Sequence, residues 1–196
     1  MSIYLILASI LFLLGLPPLF SLLFEGGDFG ARRVARVGVM LALALVLGYM
    51  ESFLPELFLP GMRLGLANVA ILMILYVYGF KEGLFVAVLK AVLVSMLRGN
   101  FLAMGGWMAF AGTLLSFLGM ALLHFLFKRA SIFAVSIFGA LLHVSAQVAV
   151  SYLYLGQGVW GYLPYLALFS FASGAAVALL CSLLLRHKAL LSYLKA

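Results

Sequence analysis

A few polar side chains interrupt long apolar runs, and they are the groups whose chemistry could serve a function. Lys90 lies eight residues from both Glu82 and Arg98, so it is about 12 Å from either end of its run if that run is helical. His143 lies twelve residues from each end of a later run, and Gln147 follows one helical turn further on, on the same face. Charged and hydrogen-bonding groups are costly in an apolar medium, so these residues are candidates for ligand binding.

The elements that must position these groups are membrane-spanning helices. Hydrophobic residues make up 67% of the chain and charged residues 9%, and the mean hydropathy is +1.29. Apolar runs of roughly 17–25 residues have the length that a hydrocarbon core about 30 Å thick requires. Glycine, proline and charged residues divide the chain into seven predicted spans, at about 2–24, 34–53, 64–80, 82–97, 105–127, 131–155 and 161–185. The predicted fold class is therefore an all-α polytopic membrane protein.

The basic residues predict how these spans are oriented. One set of loops and ends holds nine lysines and arginines, whereas the opposite set holds only Arg63 and Arg98. Cytoplasmic loops carry the excess of basic residues, so we expect the N-terminus outside and the C-terminus in the cytoplasm. This topology also explains the formal net charge of +7, so nucleic-acid binding is not expected.

With this orientation, the polar groups gather in the outer halves of the spans. The inner halves carry almost no strongly polar side chain except His124. This pattern predicts a cavity that opens to the exterior and is closed below, because a through-pore needs polar lining to both faces. The candidate substrate-binding residues are Glu51, Arg63, Asn68, Lys90, Arg98, Asn100, His143 and Gln147.

Six of these candidates also have a purely structural explanation. Lys90 could be a structural cation held by carbonyls or by a carboxylate. His143 and Gln147 could form an interhelical hydrogen-bonded pair, and Asn68 could cap the third span or hold it to a neighbouring helix. Arg63 and Arg98 could anchor loops only, as rim residues.

Several kinds of chemistry lack the residues that they need. No G-x-x-x-x-G-K-[ST] motif is present, so the chain has no P-loop for ATP. Asp28 is the single aspartate, so no aspartate pair can hold magnesium against a diphosphate. The three histidines and the single cysteine lack metal-ligand spacing. We therefore expect no catalytic residues, no metal and no cofactor, and predict that the chain is not an enzyme.

Five segments taken together resemble a known family. They are LGYMESFLP at 47–55, PGMRLGLAN at 60–68, the mid-helix cation Lys90, LRGN at 97–100 and GALLHVSAQ at 139–147. Over about 31–186 they resemble the Gx transporter family, also labelled heptaprenyl diphosphate synthase component I. That family resembles the substrate-binding S components of energy-coupling factor (ECF) transporters.

Two positions depart from that family's pattern. The mid-membrane cation is usually arginine and here is Lys90, which loses the bidentate geometry of a guanidinium. The family's His-Asn pair reads His143-Val144 here, so one amide is missing from that part of the site.

The resemblance implies a six-helix S-component-like core at 31–196, preceded by one additional transmembrane helix at 1–30. It implies a subunit in a prokaryotic cell membrane that captures a small anionic, partly apolar molecule from outside, either isoprenoid or quinone-related or a vitamin. Lys90 and Arg98 would then bind the anion, and the loop at about 52–62 would act as a gate. A membrane scaffold (the T component), coupled to ATPase subunits, would contact the small residues Gly38 and Ala42.

Two other functions stay open at the level of sequence. One is a non-catalytic membrane accessory subunit of a polyprenyl (heptaprenyl) diphosphate synthase, with no role in transport. The other is a solitary carrier coupled to protons or ions through His143 and Lys90.

Overall fold

The computed structural model describes residues 31–53 and 65–187, and all regular structure in these two ranges is helical. These ranges hold six α-helices and two short 3-10 helices, the latter at Glu51–Phe53 and Gln157–Tyr162. The α-helices are α1 Ala31–Met50, α2 Asn68–Val77, α3 Phe80–Leu97, α4 Met104–Leu126, α5 Ile132–Leu155 and α6 Leu163–Arg186. The prediction of an all-helical fold is confirmed for this part of the chain.

Three of the described helices are long and apolar enough to cross a membrane. They are α4, α5 and the segment Gln157–Arg186, which contains α6. The apolar part of α1 is shorter, at Val34–Met50, and α3 carries three charged residues in its 18. These apolar helices confirm the prediction of a membrane protein, whereas the full number of spans stays a prediction. The predicted span at 2–24, Arg63 and most of the predicted gate lie outside the described residues.

The second helix is shorter than the predicted span at 64–80. Gly65 adopts a left-handed φ of +81°, which favours glycine, and the Asn68 N–H closes a turn by donating to the Gly65 carbonyl at 2.9 Å. At the other end, Gly79 at φ +100° separates α2 from α3. The ten residues of α2 are about 15 Å long, half the thickness of a hydrocarbon core.

This short helix is also the most enclosed one. Residues 68–75 of α2 are all buried, and the helix packs against α1, α3, α4 and α6. Ile71 and Leu72 of α2 share the apolar core with Phe117 and Met120 of α4. The outward faces of α1 and α6 instead expose apolar side chains.

The last two helices approach closely at a glycine. A Cβ placed on Gly174 of α6 would lie 2.8 Å from the Ile137 Cα of α5. The Ser136 hydroxyl, next to Ile137, donates to the Gly174 carbonyl at 2.7 Å. Small residues permit such close contacts where packing holds helices together in lipid.

This contact gives a test with a matched control. We expect Gly174→Ala to lower the stability of the detergent-purified protein by about 1–3 kcal/mol, because the new methyl group meets backbone atoms. Gly38→Ala makes the same chemical change on α1, where a Cβ has no neighbour within 4 Å, and should leave stability unchanged or raise it. Thermal unfolding measures both, and equal melting temperatures would contradict the close contact of α5 with α6.

Candidate ligand-binding site

Polar side chains of four helices meet inside the bundle. We call this group the polar cluster; it consists of Asn68, Lys90, Thr113, Ser116, His143 and Gln147, which are all buried. Ser116 and His143 lie near the middle of α4 and α5, so the polar cluster lies at mid-depth in the bundle. The structure therefore brings together four of the eight candidate residues.

Lys90 reaches the polar cluster from the middle of α3. It is 4% exposed, and its Nζ donates to the Thr113 Oγ1 of α4 at 3.3 Å. A Cβ placed on Gly48 of α1 would lie 3.5 Å from Lys90 Cε, so this glycine leaves room for the lysine stem. The ammonium is thus held inside the bundle and does not extend to either end.

His143 and Gln147 form the α5 side of the polar cluster. The Gln147 Nε2 lies 3.2 Å from the His143 Nε2, so the Gln147 amide donates and this imidazole nitrogen accepts. The ring packs against the backbone of α4, because a Cβ on Gly112 would lie 3.0 Å from His143 Cε1. The pair lies on one helix and is not the interhelical pair that the sequence left open.

Asn68 links α2 to α4. Its Nδ2 donates to the Ser116 Oγ at 3.5 Å, and no side-chain hydrogen bond caps the start of α2. A Cβ on Gly65 would lie 3.0 Å from the Asn68 Nδ2 and 3.9 Å from the His143 Cδ2. The start of α2 is therefore packed against both the α4 and the α5 sides of the polar cluster.

Glu51 is placed beside the polar cluster by its hydrogen bonds to backbone. Its buried carboxylate accepts from the N–H groups of Gly65, in a short contact, and of Leu66, at 3.3 Å. These groups precede the first turn of α2, where a negative charge also interacts favourably with the helix dipole. Glu51 thus joins the end of the first helix to the start of the second.

Arg98 and Asn100 lie apart from the polar cluster. They occupy the turn between α3 and α4, with Gly99 between them at φ +67°. Arg98 follows the last residue of α3, so it is about 12 Å along the helix from Lys90. Both are half-buried. They therefore lie at the end of the helix, where the sequence predicts them, and their part in the site stays a prediction.

An apolar pocket lies between α3 and α4 near this turn. About 280 Å³ of empty space lies in it, open solvent included. It is lined by Ala91, Val92, Phe101, Leu102, Gly106, Trp107 and Phe110. Ala91 is the residue that follows Lys90 on α3.

Two residues of the polar cluster were not singled out from the sequence. Thr113 and Ser116 lie three residues apart, which places them on the same face of α4. That spacing is the sequence signal that could have identified them as site residues. The signal is weak, because serine and threonine hydroxyls in apolar helices often bond to the carbonyls of their own helix.

The two residues predicted to contact a partner lie on the surface of α1. Gly38 and Ala42 are exposed and lie one helical turn apart on one side of the helix. Their neighbours Val39 and Val46 are exposed as well, at 48% and 55%. Among the described residues this face has no covering helix.

Comparison with known protein families relates this chain to one of them. The family model for heptaprenyl diphosphate synthase component I matches residues 40–184, which include the whole polar cluster and Glu51. Neither the curated proteins nor the solved structures yield a match to this chain. Because the matched range spans most of the sequence, the chain belongs to the heptaprenyl diphosphate synthase component I family.

Proposed function

We propose that this protein is the substrate-binding integral membrane subunit of an ECF-type importer. It captures a small anionic, partly apolar molecule from the outer side of a prokaryotic cell membrane. Residues 31–196 form a six-helix S-component-like domain, and 1–30 add one more transmembrane helix. The N-terminus lies outside and the C-terminus in the cytoplasm. The observation that carries the proposal is the polar cluster around Lys90.

The buried cation supports the proposal. Lys90 is buried inside the bundle, and the Thr113 hydroxyl is one of its partners. A hydrogen bond between an ammonium and an anionic group is stronger than one between neutral groups, so an anionic group of a ligand would bind well beside Lys90. The remainder of a partly apolar molecule could lie against the apolar lining between α3 and α4.

The asymmetry of the bundle also supports the proposal. In the proposed orientation, Glu51 and Gln147 lie on the outer side of Lys90 and His143. On the inner side, the buried apolar residues of the core follow directly on α2 and α4: Ile71, Leu72, Phe117 and Met120. Polar groups on the outer side and apolar residues on the inner side favour a binding site with one entrance over a channel.

The source of energy for transport points to partner subunits. The chain has no P-loop, so ATP hydrolysis would come from partner ATPases through a membrane scaffold. The exposed face of α1 at Gly38 and Ala42 offers small residues to a helix of such a scaffold. In this account the chain itself catalyses no reaction.

A second function is favoured by the family's description. A component of a heptaprenyl diphosphate synthase could be a non-catalytic membrane subunit that holds a soluble synthase at the bilayer. In that case the partner would be an aspartate-rich enzyme that binds magnesium and a diphosphate. The scaffold and ATPases would be absent from the complex.

Replacing the buried lysine tests the binding site. We expect Lys90→Met to lower the amount of small molecule retained by the detergent-purified protein by about thirtyfold or more, because a charged partner is removed from a desolvated site. Mass spectrometry of the extracted small molecules measures this. The matched control is Lys81→Met on the same helix, where the lysine is exposed, and it should retain the wild-type amount. Unchanged retention in folded Lys90→Met would refute the site.

Enlarging the small residues on α1 tests the partner. The double variant Gly38→Leu with Ala42→Leu should stay folded and retain its small molecule, because both positions are exposed. It should lose the membrane scaffold and the ATPases in co-purification from the native membrane. Ala172→Leu, at an exposed position on α6, is the control. Co-purification of a soluble aspartate-rich synthase, with neither scaffold nor ATPase, would establish the second function instead.

A further inference from the structure

Two amide oxygens of the polar cluster are buried and accept no hydrogen bond from the described residues. They are the Asn68 Oδ1 and the Gln147 Oε1, on side chains that are 5% and 0% exposed. The other end of each amide is engaged, by Ser116 for Asn68 and by His143 for Gln147. Buried polar atoms are paired in the great majority of cases, so two unpaired oxygens in one cluster call for an explanation.

Both oxygens belong to the same site. His143 connects them, because its Nε2 lies 3.2 Å from the Gln147 Nε2. The adjacent ring atom, Cδ2, lies near Gly65, which is in turn packed against the Asn68 amide. Lys90 reaches the same region through Thr113, one turn of α4 from Ser116. A molecule bound here would meet a cation and two amide oxygens together.

The chemistry of these groups restricts what can bind. A carbonyl oxygen of an amide only accepts hydrogen bonds, so its complement must carry an N–H or an O–H. An ionised diphosphate offers only acceptor oxygens. Placed here, it would accept a hydrogen bond from Lys90 but would face two groups of partial negative charge and leave both unpaired. The site therefore suits a different headgroup.

We propose that the molecule bound at the polar cluster carries at least two hydrogen-bond donors, N–H or O–H, beside its anionic group. The donors bind the Asn68 Oδ1 and the Gln147 Oε1, and the anionic group binds Lys90. This inference rests on the proposed function and narrows its ligand class. A hydroxylated or amide-bearing acid fits the site, and a bare prenyl diphosphate does not.

One substitution distinguishes the two chemistries. Gln147→Met keeps the length of the side chain and removes its acceptor oxygen. A donor-bearing molecule should lose affinity for this variant, because one of its donors loses its partner. A bare anion should bind the variant at least as well as the wild type, because the partial negative charge of the amide oxygen is removed. Gln157→Met, at an exposed position, controls for the substitution itself.

The probe is the small-molecule extract of the cells that express the protein, passed over each detergent-purified variant. We expect Gln147→Met to retain about tenfold less of the wild-type molecule. The mass shift of that molecule in deuterated solvent should show at least two exchangeable hydrogens beyond those of its acid groups. Melting temperatures confirm that the variant is folded, and Asn68→Leu repeats the comparison where Gln147→Met is not.

The failures of the two proposals are distinguishable. A retained molecule that depends on Lys90 but has no such exchangeable hydrogens, or that binds Gln147→Met as well as it binds the wild type, would overturn this inference alone. Water would then be the partner of the two oxygens. Retention of no molecule by the wild type, or equal retention by Lys90→Met, would overturn the proposed function and this inference with it.

Discussion

The buried start of α2 is the constraint on which the rest of the site depends. Backbone N–H groups buried inside a helical bundle are rarely left unpaired, because an unpaired buried donor costs free energy. The Glu51 carboxylate accepts from two such groups, at Gly65 and Leu66. This interaction allows a helix of half the usual length to begin inside the bundle. It thereby puts Asn68 next to Ser116 and beside the ring of His143.

Glycines then make the space in which the polar side chains lie. Gly48 leaves room for the Lys90 stem, Gly112 for the His143 ring and Gly65 for the Asn68 amide. A methyl group at any of these three positions would meet the polar side chain at 3.5 Å or less. Bulkier residues would therefore displace the groups that the site needs. The result is a polar interior within a bundle whose remaining core is apolar.

The sequence predicts the helices well and the site in part. The described ends of α1, α3, α4, α5 and α6 lie within three residues of the predicted spans. Apolar runs end where charge, glycine or proline begins, and those signals are local. The start of α2 was missed because it depends on the left-handed Gly65 and on the distant carboxylate of Glu51. A tertiary contact of that kind leaves no local pattern.

Depth along a helix can be read from residue numbers, but direction around the bundle cannot. For this reason Lys90 and His143 were placed near the middle of their helices and Gln147 one turn beyond His143. Arg98 and Asn100 were predicted at the end of the helix, where the structure has them, and their part in the site stays a prediction. Thr113 and Ser116 completed the polar cluster only when α4 was seen to face α2 and α3. The prediction for Arg63 remains open because it lies outside the described residues.

The central claim is that the polar cluster binds the anionic part of a small molecule. An experimental structure of the purified protein together with the molecule that it retains is the most direct test. We expect density for that molecule on the side of the polar cluster where Glu51 lies. Its anionic group should lie within hydrogen-bonding distance of the Lys90 Nζ. Density for a bound molecule only on the outer faces of α1 or α6, with the polar cluster filled by water, would contradict it.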